Sequence, residues 1–97
     1  MKAKRKLIVF GAGGHAKVVI DILEQQRSYE IAGAHVAPGC HLCAGVRIGQ
    51  RSLLGAGAIV TPGVTIGSKA IIGAGSCVIH DVADDANVSG VPARSLD

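Results

Sequence analysis

The chain has 97 residues, of which 48% are hydrophobic but only 2% aromatic, and its formal net charge is +3. This length allows one compact unit, or one solenoid with a small appendage. Four of the ten basic side chains lie in the first six residues, so six basic and seven acidic side chains remain for the rest of the chain. That near-neutral body excludes a nucleic-acid-binding face as the main function.

No segment approaches the ~18 consecutive apolar residues of a membrane span. The apolar stretch at residues 7–10 is too short for a signal peptide and runs directly into glycines. Three cysteines in a chain without an export signal favour free thiols in a reducing compartment. The sequence therefore predicts a cytoplasmic protein with no membrane span.

The beginning of the chain has the pattern of a truncated Rossmann-like β-α-β unit. Residues 6–10 form a short apolar run bounded by glycine, which indicates a buried parallel strand. Residues 16–26 carry apolar side chains at helical spacing, and residues 29–33 look like a second short strand. A nucleotide-binding fold needs further strands to cover its sheet. We therefore expect residues 1–33 to dock against the solenoid or a neighbouring subunit.

A glycine-rich turn separates the first strand from the predicted helix. Bare backbone amides at a helix N-terminus suit a phosphate group. The same glycines also fit a tight turn that needs them for geometry alone, and the histidine that follows could contact a ligand or cap the helix. The candidate substrate-binding residues are Gly11, Gly13, Gly14 and His15.

Aliphatic residues then recur at every sixth position through eight units. These are Val36, Leu42, Ile48, Leu54, Val60, Ile66, Ile72 and Val78. In a parallel β-helix each hexapeptide is a short strand plus a corner, and its aliphatic residue points into the interior. The sequence predicts a mainly β fold, a solenoid of a little under three coils from about His35 to Val82. One interior column should contain Val36, Leu54 and Ile72.

The period breaks in the C-terminal segment, where Asp84 occupies the next aliphatic position. Residues 87–94 are polar and rich in turn formers, which is the pattern of a cap on an open solenoid end. The predicted second domain is therefore residues 34–97. A solenoid this short leaves much of its outer apolar surface uncovered, so we expect an oligomer.

Two histidines directly precede inward aliphatic residues, so strand alternation turns both outward. These are His35 and His41, which should lie on adjacent walls. His35 is either functional or a plain interface histidine, whereas His41 and His80 are interpreted as surface residues.

The pair Cys40 and Cys43 has the spacing of a metal or redox motif. In this register, however, Cys40 faces the interior and Cys43 occupies a corner, so their side chains should diverge. We interpret both as small fillers, and no metal site is predicted.

With these residues in place, the chain resembles the left-handed β-helix acyltransferases, in the branch of sialic-acid O-acetyltransferases and UDP-amino-sugar N-acetyltransferases. The resemblance is carried by residues 8–19, 35–39 and 90–94 and by the hexapeptides. It implies a left-handed solenoid, a homotrimer, acetyl-CoA as co-substrate and a nucleotide-sugar ligand.

The resemblance also assigns roles to particular residues. It places His35 at the family's second histidine, which contacts the acetyl group and is not the main base, so His35 is the candidate catalytic residue. Ala56 and Ala74, in two GAG corners one coil apart, would contact coenzyme A along a smooth groove. Small corners are also what close stacking of the coils requires.

The chain departs from this family between Ile31 and His35, where family members carry a fuller N-terminal domain and several more coils. The general-base histidine, which precedes an aspartate, lies in that stretch and has no counterpart here. The pair His80-Asp81 occurs instead at the solenoid exit. The resemblance therefore implies an acetyltransferase with impaired activity; the alternative is a catalytically silent trimeric β-helix scaffold. The acceptor sugar, and the choice between O- and N-acetylation, stay open.

Overall fold

The computed structural model describes residues 6–10, 17–21, 23–24, 29–31 and 33–96. These residues form fourteen strands and no helix. The strands are β1 (Lys6–Phe10), β2 (Lys17–Asp21), β3 (Leu23–Glu24), β4 (Tyr29–Ile31), β5 (Ala34–Val36), β6 (His41–Leu42), β7 (Val46–Gly49), β8 (Leu53–Leu54), β9 (Ile59–Val60), β10 (Thr65–Ile66), β11 (Ile71–Ile72), β12 (Cys77–Val78), β13 (Asn87–Ser89) and β14 (Arg94–Ser95). Within this part of the chain, no helix could cross a membrane.

The strands pair into three sheets, which are the three faces of a solenoid. Face A has the order β1-β2-β7-β10, face B has β12-β9-β6-β3, and face C has β14-β13-β11-β8-β5-β4. Consecutive coils pair in parallel, with Val36 opposite Leu54 and Leu54 opposite Ile72. The predicted interior column is therefore confirmed.

Each hexapeptide sends two side chains into the core. The first is the predicted aliphatic residue, and the second lies two positions earlier and is small or β-branched. The second set is almost fully buried and comprises Ala34, Cys40, Val46, Ser52, Ala58, Val64, Ala70 and Ser76. Because successive coils stack in register, large residues lie above large residues and small above small. Burying a Val, Leu or Ile side chain contributes roughly 1.5–3 kcal/mol, so these columns are the main source of stability.

Two kinds of glycine shape the corners. A Cβ at Gly55 would lie 2.5 Å from the backbone nitrogen of Ala74 in the next coil, so this position tolerates no side chain. Gly57, two residues later, has a φ of 73°, in the left-handed region that glycine adopts without steric penalty. The corner between faces A and C instead uses Arg51, Lys69 and Asp85 in this conformation.

The solenoid continues beyond its predicted end. The step from Val78 to Val82 is four residues, and the six-residue period then resumes at Val88, which lies opposite Ile72. Thr65 and Ser68 donate backbone N–H bonds to the carboxylates of Asp81 and Asp84, at 2.9 and 2.8 Å. These carboxylates accept bonds from the preceding coil where the last coil is two residues short. The predicted end near Val82 is thus wrong, because the solenoid extends through β13.

The C-terminal segment closes the end of the solenoid. Strand β14 folds back antiparallel on β13. The intervening turn hydrogen-bonds to Cys77, which donates to the Gly90 carbonyl at 3.0 Å and accepts from the Ala93 amide at 2.8 Å. These bonds satisfy the backbone of β12, the last strand of face B. A capping element was predicted here and is found.

The predicted helix at residues 16–26 is wrong, since β2 and β3 lie in this stretch and no β-α-β unit is found among the described residues. Strand β2 pairs antiparallel with both β1 and β7, so β1 is not the predicted parallel strand either. Strands β3 and β4 pair antiparallel with β6 and β5. The β-branched run Val18-Val19-Ile20 favours a strand, and the first coil offers open edges to pair with. The described strands β2, β3 and β4 pair with the first coil, which is one of the two arrangements expected for this segment.

Candidate functional site

His35 lies on β5, between β4 and β8 of face C. Its backbone N–H donates to the Ser52 carbonyl at 2.8 Å, so the main chain is fixed in the sheet. The residue is exposed, whereas its neighbours Ala34 and Val36 are fully buried. The predicted outward orientation is confirmed.

The other two described histidines lie elsewhere. His41 is half-buried on β6 of face B, one wall away from His35 as predicted. His80 is exposed beyond β12, near the C-terminal end. The described part of the chain therefore does not bring its histidines together on one face, and each must be considered alone.

The corner between faces C and B carries the two predicted coenzyme contacts. Ala56 and Ala74 are exposed and occupy the same slot in consecutive coils, with Pro38 in that slot of the first coil. Gly57 donates to the Pro38 carbonyl at 3.1 Å and Gly75 to the Ala56 carbonyl at 2.8 Å. We call Pro38, Ala56 and Ala74 the corner column.

Two backbone donors of the corner column take no part in the hydrogen bonds between the described coils. The N–H groups of Ala56 and Ala74 make no hydrogen bond to any residue that the structure describes. Methyl groups and glycines beside them leave room for a ligand to approach the main chain. An extended molecule that carries amide carbonyls could accept hydrogen bonds along this edge. His35 precedes Pro38 by three residues, so the chain runs from β5 on face C directly into the column.

The predicted substrate-binding residues Gly11, Gly13, Gly14 and His15 lie outside the described residues. Their assignment to a phosphate group stays a prediction.

The two cysteines of the apparent motif diverge, as predicted. Cys40 is 1% exposed, and its thiol donates to the Gly55 carbonyl at 3.2 Å. Cys43 is half-buried at the start of a corner. In the part of the chain that is described, no three His, Cys, Asp or Glu residues could share a metal ion.

Burial raises the pKa of the Cys40 thiol above its usual range, and hydrogen bonds with the backbone of Ala58, Gly57 and Ala37 offset part of the effect. As pH rises, the unfolded chain therefore loses this proton first. The stability that the neutral thiol provides is present below the ordinary thiol pKa of about 8.5 and is lost as pH rises through the higher folded value. We expect the free energy of unfolding, measured in urea, to fall above pH 9 less steeply in Cys40→Ala than in the wild type. The half-buried Cys77→Ala is the control and should keep the wild-type pH dependence.

Two outward residues with a place in the site were missed in the sequence. Leu53 lies directly opposite His35 on face C, Ile71 lies opposite Leu53, and both side chains are large and exposed. The sequence pattern that predicts an outward His35 also applies to these two residues, because each directly precedes an inward aliphatic residue.

The chain matches two family models. Residues 6–35 match the PglD N-terminal domain. Residues 45–79 match the hexapeptide repeat of succinyl-transferase. No curated protein matches the chain.

Several solved structures are similar to it. The perosamine N-acetyltransferase from Caulobacter crescentus, in complex with CoA and GDP-perosamine, is 45% identical with a TM-score of 0.65, over 66% of this chain and 30% of that chain. The acetyltransferase domain of PglB from Neisseria gonorrhoeae, in complex with acetyl coenzyme A, is 40% identical with a TM-score of 0.64. The match covers 65% of this chain and 31% of that chain. A maltose O-acetyltransferase from Clostridium difficile is 31% identical with a TM-score of 0.61, and the match covers 64% of this chain and 43% of that chain.

These matches confirm the resemblance seen in the sequence. The fold is the left-handed β-helix of the hexapeptide-repeat proteins. The structures of that class to which the chain is similar include a perosamine N-acetyltransferase and the acetyltransferase domain of PglB. It spans only 30% of the length of the perosamine enzyme and 31% of the PglB domain.

Proposed function

We propose that the chain is an acetyl-CoA-dependent acyltransferase of the nucleotide-amino-sugar type, with impaired turnover. The observation that carries this proposal is the corner column, with two backbone N–H groups that have no hydrogen-bond partner among the described residues. Its small residues allow the pantetheine arm of the coenzyme to lie along the main chain and to accept hydrogen bonds from Ala56 and Ala74. The coenzyme complexes of the similar structures support the same ligand.

The acetyl group would lie near His35. His35 is exposed, and it precedes Pro38 of the corner column by three residues. As a proton acceptor it could take the proton of an amine or hydroxyl that attacks the thioester carbonyl. His35 is therefore the proposed catalytic residue in this chain.

A nucleotide-linked amino sugar is the proposed acceptor. The perosamine enzyme supports this class, because its structure holds GDP-perosamine. The match of residues 6–35 to the PglD N-terminal domain supports it as well. The glycines Gly11, Gly13 and Gly14, with His15, would contact its phosphate groups.

A second candidate function is a silent scaffold that keeps the fold and the coenzyme groove. One observation favours it: the sequence between Ile31 and His35 contains no His-Asp pair that could act as a general base. Both candidates include a homotrimer, because the solenoid exposes large apolar side chains. A cytoplasmic location agrees with the free cysteines at positions 40, 43 and 77.

Ala74→Glu tests coenzyme binding. The substitution adds a negative charge and a longer side chain at the corner column, where the polyanionic coenzyme would lie. We expect its affinity for acetyl-CoA, measured by calorimetry, to fall about 10- to 100-fold, because like charges brought together cost several kcal/mol.

The matched control is Ala44→Glu at the corner between faces B and A. Ala44 occupies the same slot of its hexapeptide, and its carbonyl accepts from Gly63 at 2.9 Å, just as that of Ala56 accepts from Gly75. This variant should bind the coenzyme as the wild type does. Equal affinity in all three proteins, or no binding at all, would contradict the proposal.

A further inference from the structure

The corner between faces A and C carries charged residues where the other two corners carry glycine. At this corner Arg51 and Lys69 have a left-handed backbone, with φ of 59° and 58°. A residue with a Cβ adopts that conformation at an energetic cost, and such costs are tolerated mainly at functional sites. Since glycine would fit this backbone better, the two cations indicate a role for their side chains. The left-handed residues of the other two corners are Gly39, Gly45, Gly57, Gly63 and Gly75.

The two cations are stacked in consecutive coils. Lys69 donates its backbone N–H to the Gln50 carbonyl at 3.0 Å, which fixes one corner on the next. Stacked strands lie about 4.8 Å apart, so both long side chains can reach one small anion. Arg51 and Lys69 are exposed, and neither makes an ion pair with a described carboxylate, Asp85 of the next coil included. We call Arg51 and Lys69 the cation corner.

Further basic residues lie around this corner, and acidic residues lie at the other end of the solenoid. Arg47 lies on face A, four residues before Arg51. Lys17 is the register partner of Gly49, two residues before Arg51. The carboxylates of the last coil lie beyond Lys69, and two of them already accept backbone N–H bonds. They belong to Asp81, Asp84 and Asp85. An anion is therefore attracted to the coils that carry the cations.

Gly33 leaves room for the arginine side chain in the first coil. A Cβ at Gly33 would lie 3.7 Å from Cγ of Arg51, so the aliphatic stem of Arg51 lies along this glycine. His35 follows Gly33 by two residues on the same coil. Leu53, the register partner of His35, likewise follows Arg51 by two residues, which is about 7 Å of extended chain. The arginine therefore lies close to the strand that carries the proposed proton acceptor.

We propose that the cation corner binds the diphosphate of a nucleotide-linked sugar. The inference rests on the proposed function, whose acceptor it anchors. Strand β8 runs from Arg51 toward Ala56, and β11 repeats this path from Lys69 in the next coil. Face C therefore has the cation corner along one edge and the corner column along the other. Five residues of extended chain span at most about 18 Å. The coenzyme approaches from the column and the acceptor from the cations, and they meet beside His35.

A diphosphate matches the chemistry of these two side chains. The planar guanidinium of Arg51 can donate two parallel hydrogen bonds to one phosphate group, and the ammonium of Lys69 acts as a point charge for the other. The sugar is bonded to the terminal phosphate, so its amine or hydroxyl lies within one ring of the diphosphate. That separation is comparable with the two residues between Arg51 and Leu53.

The N-terminal strands lead to the same corner. Phe10 is the register partner of Lys17, and Lys17 is the register partner of Gly49. Residues 11–16 lie outside the described part of the chain, but their connection starts at Phe10 and ends at Lys17. The phosphate contacts proposed for the glycines of this connection agree with an acceptor diphosphate at the cation corner.

The test is calorimetry on the full chain with inorganic pyrophosphate, UDP and CoA as separate probes. Glycine replaces each cation, because glycine adopts the left-handed backbone without steric penalty. We expect Arg51→Gly and Lys69→Gly each to weaken the binding of pyrophosphate and UDP about 10- to 100-fold, which is what a hydrogen bond to a charged group contributes. Their affinity for CoA, and the midpoint of thermal unfolding, should stay close to the wild type.

Asp85→Gly is the matched control, since Asp85 has the same left-handed backbone at this corner but the opposite charge. This variant should bind pyrophosphate and UDP at least as tightly as the wild type does. Arg94→Gln removes one positive charge on β14 and should leave both affinities unchanged. If Arg51→Gly fails to fold, Arg51→Asn takes its place, because asparagine tolerates the left-handed region.

Three results would overturn the inference. The first is equal affinity for pyrophosphate and UDP in the wild type and both glycine variants, and the second is no binding of either probe at millimolar concentration. The third is weaker CoA binding in Arg51→Gly, or competition between UDP and CoA, which would assign the cations to the phosphates of the coenzyme. If CoA binds none of the proteins while UDP binding still depends on both cations, the proposed acyl transfer fails and the inference stands.

Discussion

Leu54→Ala is expected to lower the free energy of unfolding by about 2–5 kcal/mol, the range for deleting a buried leucine side chain. Leu54 is fully buried and lies between Val36 and Ile72 in the interior column of face C. The coils above and below fix the positions of these neighbours, so the cavity cannot collapse without shifting the ladder. Domains of this size are stable by only about 5–15 kcal/mol, and the loss would be a large part of the total.

The control is the preceding residue on the same strand. Leu53→Ala changes the same side chain on the outward side, and an exposed substitution costs about 0.5 kcal/mol or less. Urea denaturation of both variants, at a concentration that keeps the chain monomeric, measures the difference. Equal losses would contradict the assignment of Leu54 to the interior and of Leu53 to the exterior.

The interior columns could be predicted because the solenoid repeats one local rule. Each coil sees the same neighbours, so a period of six in the sequence directly gives the stacking of Val36, Leu54 and Ile72. The end of the solenoid could not be read in the same way. Between Val78 and Val82 the chain shortens one step, and carboxylates of Asp81 and Asp84 accept the hydrogen bonds that backbone amides of the preceding coil donate. A strict six-residue count cannot predict that side-chain carboxylates replace main-chain groups as hydrogen-bond acceptors here.

The N-terminal prediction failed for a different reason. The apolar spacing of residues 16–26 fits a helix, but β-branched Val18, Val19 and Ile20 fit a strand equally well. Local pattern cannot decide between them. The decision comes from the first coil of the solenoid, which pairs antiparallel with β2, β3 and β4 on its three faces. Such long-range pairing is not visible in a window of eleven residues.

The candidate site was partly predictable. Strand alternation gave the outward orientation of His35 and its separation from His41, and the repeat of GAG corners gave the slot shared by Ala56 and Ala74. That the N–H groups of these two alanines have no partner among the described residues follows from the hydrogen-bond pattern of the corner, which needs coordinates. The outward apolar pair Leu53 and Ile71 on face C was present in the sequence. It went unnoticed because Leu53 and Ile71 each stand beside an inward aliphatic residue and look like part of the core.

The final prediction concerns catalysis, where the expected effect is largest. With acetyl-CoA and UDP- or GDP-linked amino sugars, we expect this chain to release coenzyme about 10²–10⁴-fold more slowly than an acetyltransferase that has a positioned general base. That factor is what such a base typically contributes to the rate. The reason is the missing His-Asp pair, which leaves the exposed His35 as the proposed proton acceptor. A thiol-reactive dye measures release of the coenzyme, with the protein's own cysteines subtracted in a reaction that lacks acetyl-CoA.

His35→Ala should reduce this slow release to the uncatalysed rate, whereas His41→Ala should leave it unchanged. His41 is the matched control, because it precedes an inward leucine on face B just as His35 precedes Val36 on face C. Fast release that disappears only in His35→Ala would show that His35 is a full general base and that turnover is not impaired. Release at the uncatalysed rate in all three proteins, together with normal coenzyme affinity, would favour the silent scaffold. In that case the solenoid would still bind the coenzyme but would not transfer the acetyl group. Coenzyme binding at the corner column depends only on backbone and small residues, whereas proton transfer depends on a correctly placed base.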